Sequence, residues 1–291
     1  MLKRLAIADG ARPAPSPHAP SGREMQRYQL AVMIAAVPAT AAAVYYLGPR
    51  VLYAGACALA AAAAVEVLFA VVRRKAPSGG SLPFAAMLAL VLPPTAPLWM
   101  AAAGAAFGAL FGKEVFGGSG HYIFNPVLVA KAFLFFSFPQ SLGGPYFGSM
   151  LGFSPPQAWV VCSAVTGAAA LAMILARPGN VQILVGLMLP AAALAWGMEF
   201  AGRLSGASAV GLIAGNGFLF GACFLACDPA TCPRGHLGKW LYGALIGLTA
   251  MLMQSLSDYK EGMLTALLLG NLFAPLLDTL TLRGETRRPA E

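Results

Sequence analysis

The chain has 291 residues, of which 58% are hydrophobic and 10% are charged, and its formal net charge is +8. This composition excludes a soluble domain of this size, and the long unbroken apolar runs exclude a membrane β-barrel, whose strands alternate polar and apolar residues. The basic residues lie at the ends of apolar runs, where membrane topology explains them, so the charge does not indicate a nucleic-acid partner. The sequence therefore predicts an all-α polytopic protein of the lipid bilayer.

Ten transmembrane helices are predicted, between a polar cytoplasmic arm at residues 1–27 and a cytoplasmic tail at residues 282–291, so that the membrane domain covers residues 28–281. In chain order we place them at about 28–47, 51–72, 82–92, 97–112, 125–138, 157–176, 180–200, 207–226, 240–256 and 262–281. An even number of helices puts both termini on one side of the membrane.

The distribution of basic residues orients this arrangement. Alternate placement puts fifteen of the 19 Lys and Arg residues on the side of the termini and three, Arg50, Arg203 and Lys260, on the other side, while Lys131 lies inside the fifth helix. Because cytoplasmic loops carry the excess of Lys and Arg, this bias predicts that both termini are cytoplasmic.

Each group of five helices contains a segment interrupted by glycine and proline, Ser81–Pro94 in the first and Gly211–Pro233 in the second. Five helices per half give the two halves opposite orientations. An inverted repeat of this kind builds its site from interrupted helices near the pseudo-two-fold axis.

The stretch from Gly112 to Pro126 contains the most specific pattern in the chain. An apolar run stops at Lys113-Glu114, passes through a glycine-rich bend and restarts at Phe-Asn-Pro. Asn125 is a favourable N-cap and Pro126 a favourable first helical residue. The pattern predicts a helix end, a bend and a new helix start that either cradles a cofactor or phosphate or only lets two helices pack.

Two charged residues lie inside predicted helices. Glu66 is in the second helix, where a carboxylate needs a cation, a base or water, so it is a candidate for an ion pathway; the alternative is a structural carboxylate near the helix end. Lys131 lies about one and a half turns from Asn125, and we expect its side chain to reach the cytoplasmic face.

Asp228 precedes Pro229 and is predicted to begin a turn at the end of the eighth helix. Cys223, Cys227, Cys232 and His236 surround this turn and are weak candidates for a zinc or iron–sulfur site, because their spacing matches no standard site. Buried cysteine is equally a common small residue of apolar helices, so the sequence does not predict a metal centre.

Several motifs in one order resemble those of the NqrB/RnfD family, the ten-helix flavin-carrying subunits of the Na⁺-translocating NADH:quinone reductase and the Rnf ferredoxin:NAD⁺ oxidoreductase. The resemblance covers about residues 28–281. It is carried by Leu92–Met100, Gly112–Gly118, Phe124–Pro126, Ala226–Pro229, Gly238–Gly247, Glu261–Met263 and Asn271–Pro275.

This resemblance implies a fold similar to urea and ammonium channels, a flavin (FMN or riboflavin), and a multisubunit complex with iron–sulfur and flavoprotein partners in the bacterial cytoplasmic membrane. It implies that Glu66 matches an acidic position that the family links to cation uptake. It also implies flavin contacts, for which the candidates are Gly117, Gly118, His121, Phe124, Asn125 and Asp228.

One motif of the family is absent. Its members usually attach FMN to the threonine of a Ser-Gly-Ala-Thr motif after the fifth helix, but residues 139–156 contain no threonine, and the usual Asp-Gly-Ser before the third helix is Gly79-Gly80-Ser81. We therefore expect a non-covalent flavin. A small-solute channel on the same fold, or a flavin-free assembly scaffold, are the alternative functions.

Overall fold

The computed structural model describes residues 20–77, 79–142, 156–204, 208–214, 217–256 and 262–285, and every regular element in these ranges is a helix. Their bounds are α1 Gly22–Leu47, α2 Arg50–Arg73, α3 Ser81–Val91, α4 Leu98–Ala109, α5 Pro126–Ser137, α6 Pro156–Ala176, α7 Asn180–Phe200, α8 Ala209–Ala214, α9 Phe218–Phe220, α10 His236–Leu256 and α11 Gly262–Glu285. Two π-helical segments, π1 (Leu110–Glu114) and π2 (Gly221–Leu225), extend α4 and α9, and a 3₁₀ turn covers Pro139–Leu142.

The largest differences from the predicted bounds are in four helices. α1 begins at Gly22 inside the predicted arm, because Ser21 and Glu24 form a capping box. The predicted eighth helix is divided into α8, α9 and π2, and Gly217, at a φ of 72°, precedes α9. α10 begins at His236 rather than near residue 240, and α11 reaches Glu285 rather than ending near residue 281.

Four described helices are long and apolar enough to cross a membrane, and the chain is a multi-pass membrane protein. These are Gly22–Leu47, Arg50–Arg73, Asn180–Phe200 and Gly262–Thr281. α3 has 11 residues and α5 has 12, so at about 1.5 Å per residue each covers roughly half of a hydrocarbon core of about 30 Å. A helix of this length does not cross the hydrocarbon core by itself.

Four connections between helices lie at the same end of the molecule, because they bond to one another. The hydroxyl of Ser119 donates to the carbonyl oxygen of Gly79, which joins the loop after α2 to the loop after π1. The amide of Asn125 donates to Asp228, 2.9 Å away, and joins the latter loop to the one after π2. Arg177, after α6, donates to the sulfur of Cys232 at 3.2 Å.

Small residues allow the helices to pack closely. Gly104, Gly108 and Gly112 face α5, and a Cβ atom at Gly108 would lie 2.7 Å from the carbonyl oxygen of Pro126. Gly243 and Gly247 of α10 face α7 in the same way. Without a hydrophobic driving force between helices in lipid, this close approach provides the packing energy. α2 packs on α4 and α4 on α5, while α7 packs on α10 and α10 on α11.

Candidate functional site

The glycine-rich loop is built from local signals in the sequence. π1 ends at Glu114, and Gly117, Gly118 and Gly120 then take φ values of 123°, 99° and 89°, which other residues rarely adopt. The side chain of Asn125 accepts a hydrogen bond from the backbone N–H of Val127 and caps α5, as predicted.

The carboxylate of Asp228 joins this loop to the loop that follows π2. One of its oxygens accepts hydrogen bonds from the hydroxyl of Tyr122 and the amide of Asn125, both at 2.9 Å, and the other accepts from the backbone N–H of Ala230 at 3.0 Å. Asp228 is fully buried and Asn125 almost so. A buried carboxylate with three donors fixes the relative position of both loops.

Burial also shifts the protonation of this cluster. It raises the pKa of the Asp228 carboxyl to about 6, although the hydrogen bonds that it accepts act in the opposite direction. Burial, followed by the charge of Asp228, raises the pKa of the Tyr122 phenol well above its usual value. Tyr122 is therefore a neutral donor, and the carboxyl is the group of this pair that titrates closest to neutral pH.

Asn271 of α11 supports the same loop from the other side. Its amide lies 2.8 Å from the hydroxyl of Tyr242, and the amide orientation that satisfies both neighbours lets its oxygen accept from the backbone N–H of Asn125 at 3.2 Å. Asn271, Tyr242 and Asn125 are all buried. Polar residues from α10 and α11 thus hold the start of α5.

A cavity of about 290 Å³ lies between these three supports. It is lined by residues 120–123 of the glycine-rich loop, by residues 230–232 of the loop after π2, and by Asn271, Ala274 and Pro275 of α11. The hydroxyl of Thr231 is buried on this wall and interacts with Tyr242. A hydroxyl on a cavity wall can also contact a polar ligand.

The structure divides the six predicted flavin contacts among different places. His121 lines the 290 Å³ cavity, whereas Gly117 and Gly118 form the bend before it. Asn125 and Asp228 are hydrogen-bonded to each other and line a smaller neighbouring cavity, and Tyr122 lines both cavities. Phe124 lines an outer apolar groove with Phe107 and Phe133.

Glu66 has a partner in its own chain. Its carboxylate lies 2.7 Å from the ammonium group of Lys113, and both side chains are buried. The backbone N–H of Gly79 and the hydroxyl of Ser81 also donate to it. Lys113 additionally donates to the carbonyl oxygen of Gly79 at 3.0 Å. Glu66 therefore holds the turn that begins α3.

Two further charged side chains extend from this ion pair toward the surface. Glu114 lies 3.4 Å from Lys113 and 3.6 Å from Arg73, and the guanidinium of Arg73 also stacks over Phe69, 4.8 Å from the ring centre. The result is an alternating row of two acidic and two basic side chains, with Glu66 at its buried end. Alternation satisfies each charge, as burial requires.

Lys131 does not reach the surface of the molecule, although we expected it to extend to the cytoplasmic face. It is buried and lines a small internal cavity with Leu128 and with residues of α3, π2 and α11. The reason is its position on α5, where it shares the inward face with Val127, Leu128 and Leu134. The expected exposure was wrong because the packing of α5 turns this face toward the interior.

The cysteines do not assemble with His236. Within the described ranges, no three His, Cys, Asp or Glu side chains lie where they could hold a metal ion. Burial raises the pKa of the Cys232 thiol, while nearby Arg177 acts in the opposite direction. His236 lies beside Gln182 instead, 2.7 Å from it. Neither contact indicates a thiolate ligand set.

Comparison with known proteins places this arrangement in a family. The model of the NQR2, RnfD, RnfE family matches residues 13–286. The chain belongs to this family. It is 34% identical over 265 aligned residues to a subunit of the Na(+)-translocating NADH-quinone reductase of Pseudomonas paraeruginosa, covering 77% of this chain and 64% of the relative. The corresponding reductase subunit of Klebsiella pneumoniae strain 342 is 33% identical over 265 residues with the same coverage.

The chain thus spans about two thirds of the length of these relatives, 64% in each case. The motifs on which the sequence resemblance rests can be located in the structure. Gly112–Gly118 and Phe124–Pro126 surround the bend, Ala226–Pro229 supplies Asp228, and Asn271–Pro275 forms the opposite wall of the cavity.

Sequence reasoning missed Tyr122, Thr231 and Lys113 as members of these clusters. Tyr122 and Thr231 carry no spacing signal, since a single hydroxyl residue in a loop does not reveal which wall it faces. Lys113 was identified only as the residue next to Glu114 where an apolar run stops, but its partner Glu66 lies 47 positions earlier. The sequence did contain one signal for this ion pair, namely an acidic residue inside one predicted helix and a basic residue at the end of another.

Proposed function

We propose that this protein is the membrane subunit of a multisubunit electron-transfer complex of the Nqr or Rnf kind in the bacterial cytoplasmic membrane. We further propose that it binds FMN or riboflavin without a covalent bond, in the 290 Å³ cavity between the glycine-rich loop and α11. The cavity is the observation that carries this proposal, because the motif Asn271–Pro275 forms one of its walls and three other motifs flank its remaining walls, in a family whose relatives are named as reductase subunits.

The residues present fit a flavin ring. A volume of about 290 Å³ is at the lower end of ligand pockets, roughly 300–1,000 Å³, so the cavity suits the ring system with the side chain and any phosphate extending outward. Asn271 and Thr231 offer polar groups, while Ile123, Ala274 and Pro275 offer apolar walls. When bound, a flavin supplies one- and two-electron chemistry that no side chain provides.

The protein's own residues would hold and shield that site. Asn271 fixes the backbone at Asn125, and the Asp228 carboxylate fixes Tyr122, so the wall of the cavity cannot move independently of α11 or of the loop after π2. Fixed walls keep the ring in one orientation and keep water from its inner face. The imidazole of His121 is exposed at the rim, where it is placed to contact a ligand or another protein of the complex.

Partner proteins have a suitable surface beside the cavity. Val115, Phe116 and Ile123 on the glycine-rich loop are 52%, 42% and 45% exposed. This loop lies at the end of the molecule where the positive charges place the cytoplasm. Exposed apolar residues on a loop outside the bilayer favour contact with another protein, and we propose that iron–sulfur and flavoprotein subunits dock there.

The ion pathway proposed for Glu66 requires a change in its ion pair. Lys113 occupies the position beside the carboxylate that a Na⁺ ion or proton would take. Glu114 lies 3.4 Å from Lys113 and provides a second carboxylate toward which the ammonium group can move. Cation uptake at Glu66 would thus be coupled to displacement of Lys113.

The inverted repeat is supported by matching helix contacts. The pairs α2–α4 and α4–α5 of the first half correspond to α7–α10 and α10–α11 of the second, and α1 packs on α6 between the halves. In this scheme α8, α9 and π2 together correspond to α3. The ten-helix topology with both termini cytoplasmic follows from the same correspondence and from the charge distribution.

A cavity-filling variant tests the flavin site. Ala274→Leu on α11 adds bulk to the cavity wall, while Leu276→Phe adds bulk to the exposed face of the same helix and is the matched control. We expect the purified complex with Ala274→Leu to lose most of the flavin that acid extraction releases from this protein, and the control to retain it. Full flavin content with Ala274→Leu, in a complex that still assembles, would show that the flavin is bound elsewhere.

A further inference from the structure

Two basic side chains at the predicted cytoplasmic end of the molecule lack an acidic partner. Lys239 lies near the start of α10 and is only 5% exposed, and Arg177 is half-buried in the turn between α6 and α7. Among the residues that the structure describes, neither forms an ion pair. Arg177 donates to the sulfur of Cys232, which is a weak acceptor. A buried ammonium group without a counter-charge is costly, so this place is suited to an anion.

The packing of α10 on the turn before α7 brings these two charges together. A Cβ atom at Gly179, two residues after Arg177, would lie 2.2 Å from the ammonium nitrogen of Lys239. Among the charged side chains around Lys239, Arg177 acts on it most strongly. Gly179 is also the N-cap of α7, a helix of 21 residues, whose N-terminus adds partial positive charge. Two like charges at a helix N-terminus favour the binding of an anion between them.

The carboxylates closest to this pair of charges are engaged elsewhere. The acidic side chains that act on Lys239 are those of Glu24 and Asp278. Glu24 accepts hydrogen bonds from the backbone N–H and the hydroxyl of Ser21 at 3.0 and 3.2 Å, and so caps α1. Asp278 accepts from two backbone N–H groups of the loop after π2, at 2.8 and 3.2 Å. Both carboxylates therefore hold backbone segments, and the two cationic groups remain available to a ligand.

The lipid-facing side of α7 and α10 begins next to these charges. Gln182 and His236 contact each other across the two helices at 2.7 Å. One turn further along α10, a Cβ atom at Gly186 would lie 3.2 Å from the ring of Trp240, so the indole packs against α7. Trp240 is exposed, as is common for tryptophan at a membrane surface, and Leu189 continues the exposed apolar surface along α7. A charged end above an exposed apolar surface matches the two parts of a phospholipid.

We propose that Arg177 and Lys239 bind the phosphate group of an anionic phospholipid at the cytoplasmic surface of the membrane. The guanidinium of Arg177 has further donors besides the one that Cys232 accepts, and Lys239 supplies a second positive charge. Basic pockets between transmembrane helices on the cytoplasmic side bind anionic headgroups in this way. The acyl chains lie along Trp240 and Leu189. This inference goes beyond the proposed function, because it requires neither a bound flavin nor electron transfer.

Native mass spectrometry of the protein, purified with its partners, measures this binding. The preparation is delipidated in detergent and titrated with phosphatidylglycerol. Phosphatidylcholine is the zwitterionic comparison, and inorganic phosphate is the competitor. The test variant combines Arg177→Gln with Lys239→Gln. The matched control combines Arg74→Gln with Lys75→Gln, which removes two exposed charges at the same end of the molecule.

We expect the apparent Kd for phosphatidylglycerol to rise about 25-fold in the test variant, because each basic side chain near an anionic lipid contributes roughly fivefold. The control should leave this Kd unchanged. An unchanged Kd in the test variant, or equal affinity for phosphatidylcholine, would overturn the proposal. Displacement of the lipid by an equal concentration of inorganic phosphate would assign the site to a free anion and would also overturn it.

If the double variant does not assemble, Gly179→Ala takes its place. The backbone at Gly179 has a φ of −63°, which alanine adopts readily, but the added methyl group would force the ammonium group of Lys239 to move. The charge is kept and its position is lost, so we expect roughly fivefold weaker binding of phosphatidylglycerol. Gly197→Ala, in open space on the same helix, is the control. Binding that Gly179→Ala leaves unchanged would reject this site.

Discussion

The ion pair between Glu66 and Lys113 gives the sharpest test of the structure, because the surroundings of its two members differ. Lys113→Met leaves Glu66 buried with two neutral donors, Gly79 and Ser81, and without its cation. Removing one partner of a buried pair costs about 3–5 kcal/mol of the free energy of unfolding. We expect Lys113→Met to lower the free energy of unfolding by an amount in this range.

Glu66→Gln should lower the free energy of unfolding by less than Lys113→Met does. Lys113 then keeps the carboxylate of Glu114 at 3.4 Å and the carbonyl oxygen of Gly79 at 3.0 Å. The loss is close to that of one charge-assisted hydrogen bond, about 1.5–3 kcal/mol. The double variant should cost less than the sum of the single changes, with a coupling of about 2 kcal/mol, within the range of about 0.5–3 kcal/mol for residues in contact.

The free energies can be measured by unfolding the purified protein with increasing sodium dodecyl sulfate and following tryptophan fluorescence. Arg74→Gln is the matched control, since Arg74 is exposed at the same end of α2, and a surface change of this kind is expected to stay within about 0.5 kcal/mol. If the two single changes are additive, or if Glu66→Gln costs more than Lys113→Met, the buried ion pair described here is refuted.

Three further predictions follow from other contacts. Gly247→Leu should abolish folding or cost well over about 3 kcal/mol, because its side chain would overlap the backbone of α7, whereas Gly197→Leu, with open space around it, should be tolerated in the same expression and size-exclusion assay. Tyr122→Phe removes one donor from the buried carboxylate of Asp228 and should lower stability in the detergent titration by about 1.5–3 kcal/mol; no change would mean that the two loops are held by other contacts. A reporter fused after Lys75 or at the C-terminal end of the chain should be active only on the cytoplasmic side, and a periplasmic signal at either would contradict the ten-helix topology.

Local signals explain what could be predicted from the sequence. The bend and the start of α5 were predicted because Asn125 and Pro126 act on their own backbone, and α7 was predicted with its observed bounds, Asn180–Phe200. The interruption after the eighth predicted helix was expected, but its division at Gly217 was not, since a glycine inside an apolar run does not reveal its backbone conformation.

Non-local packing explains what could not be predicted. Phe124 and Asn125 are adjacent in the chain, yet they face an outer groove and the interior respectively, which depends on how α5 is rotated against its neighbours. The inward direction of Lys131 depends on the same rotation. The loop at residues 139–156, whose lack of threonine underlies the expectation of a non-covalent flavin, lies outside the described residues from 143 to 155. In-gel flavin fluorescence of denatured protein tests that expectation, and a fluorescent band would contradict it.

The carboxylate of Asp228 also has a consequence for biosynthesis. It is separated from its donors Asn125 and Tyr122 by 103 and 106 positions, so the ribosome completes the glycine-rich loop long before the residue that secures it. At roughly 5–20 residues per second, the wait lasts about 5–20 s. During that time both donors must remain hydrated or be held by another protein. We expect the first five helices to enter the membrane in a loosely closed form that becomes fixed only when the loop after π2 is translated.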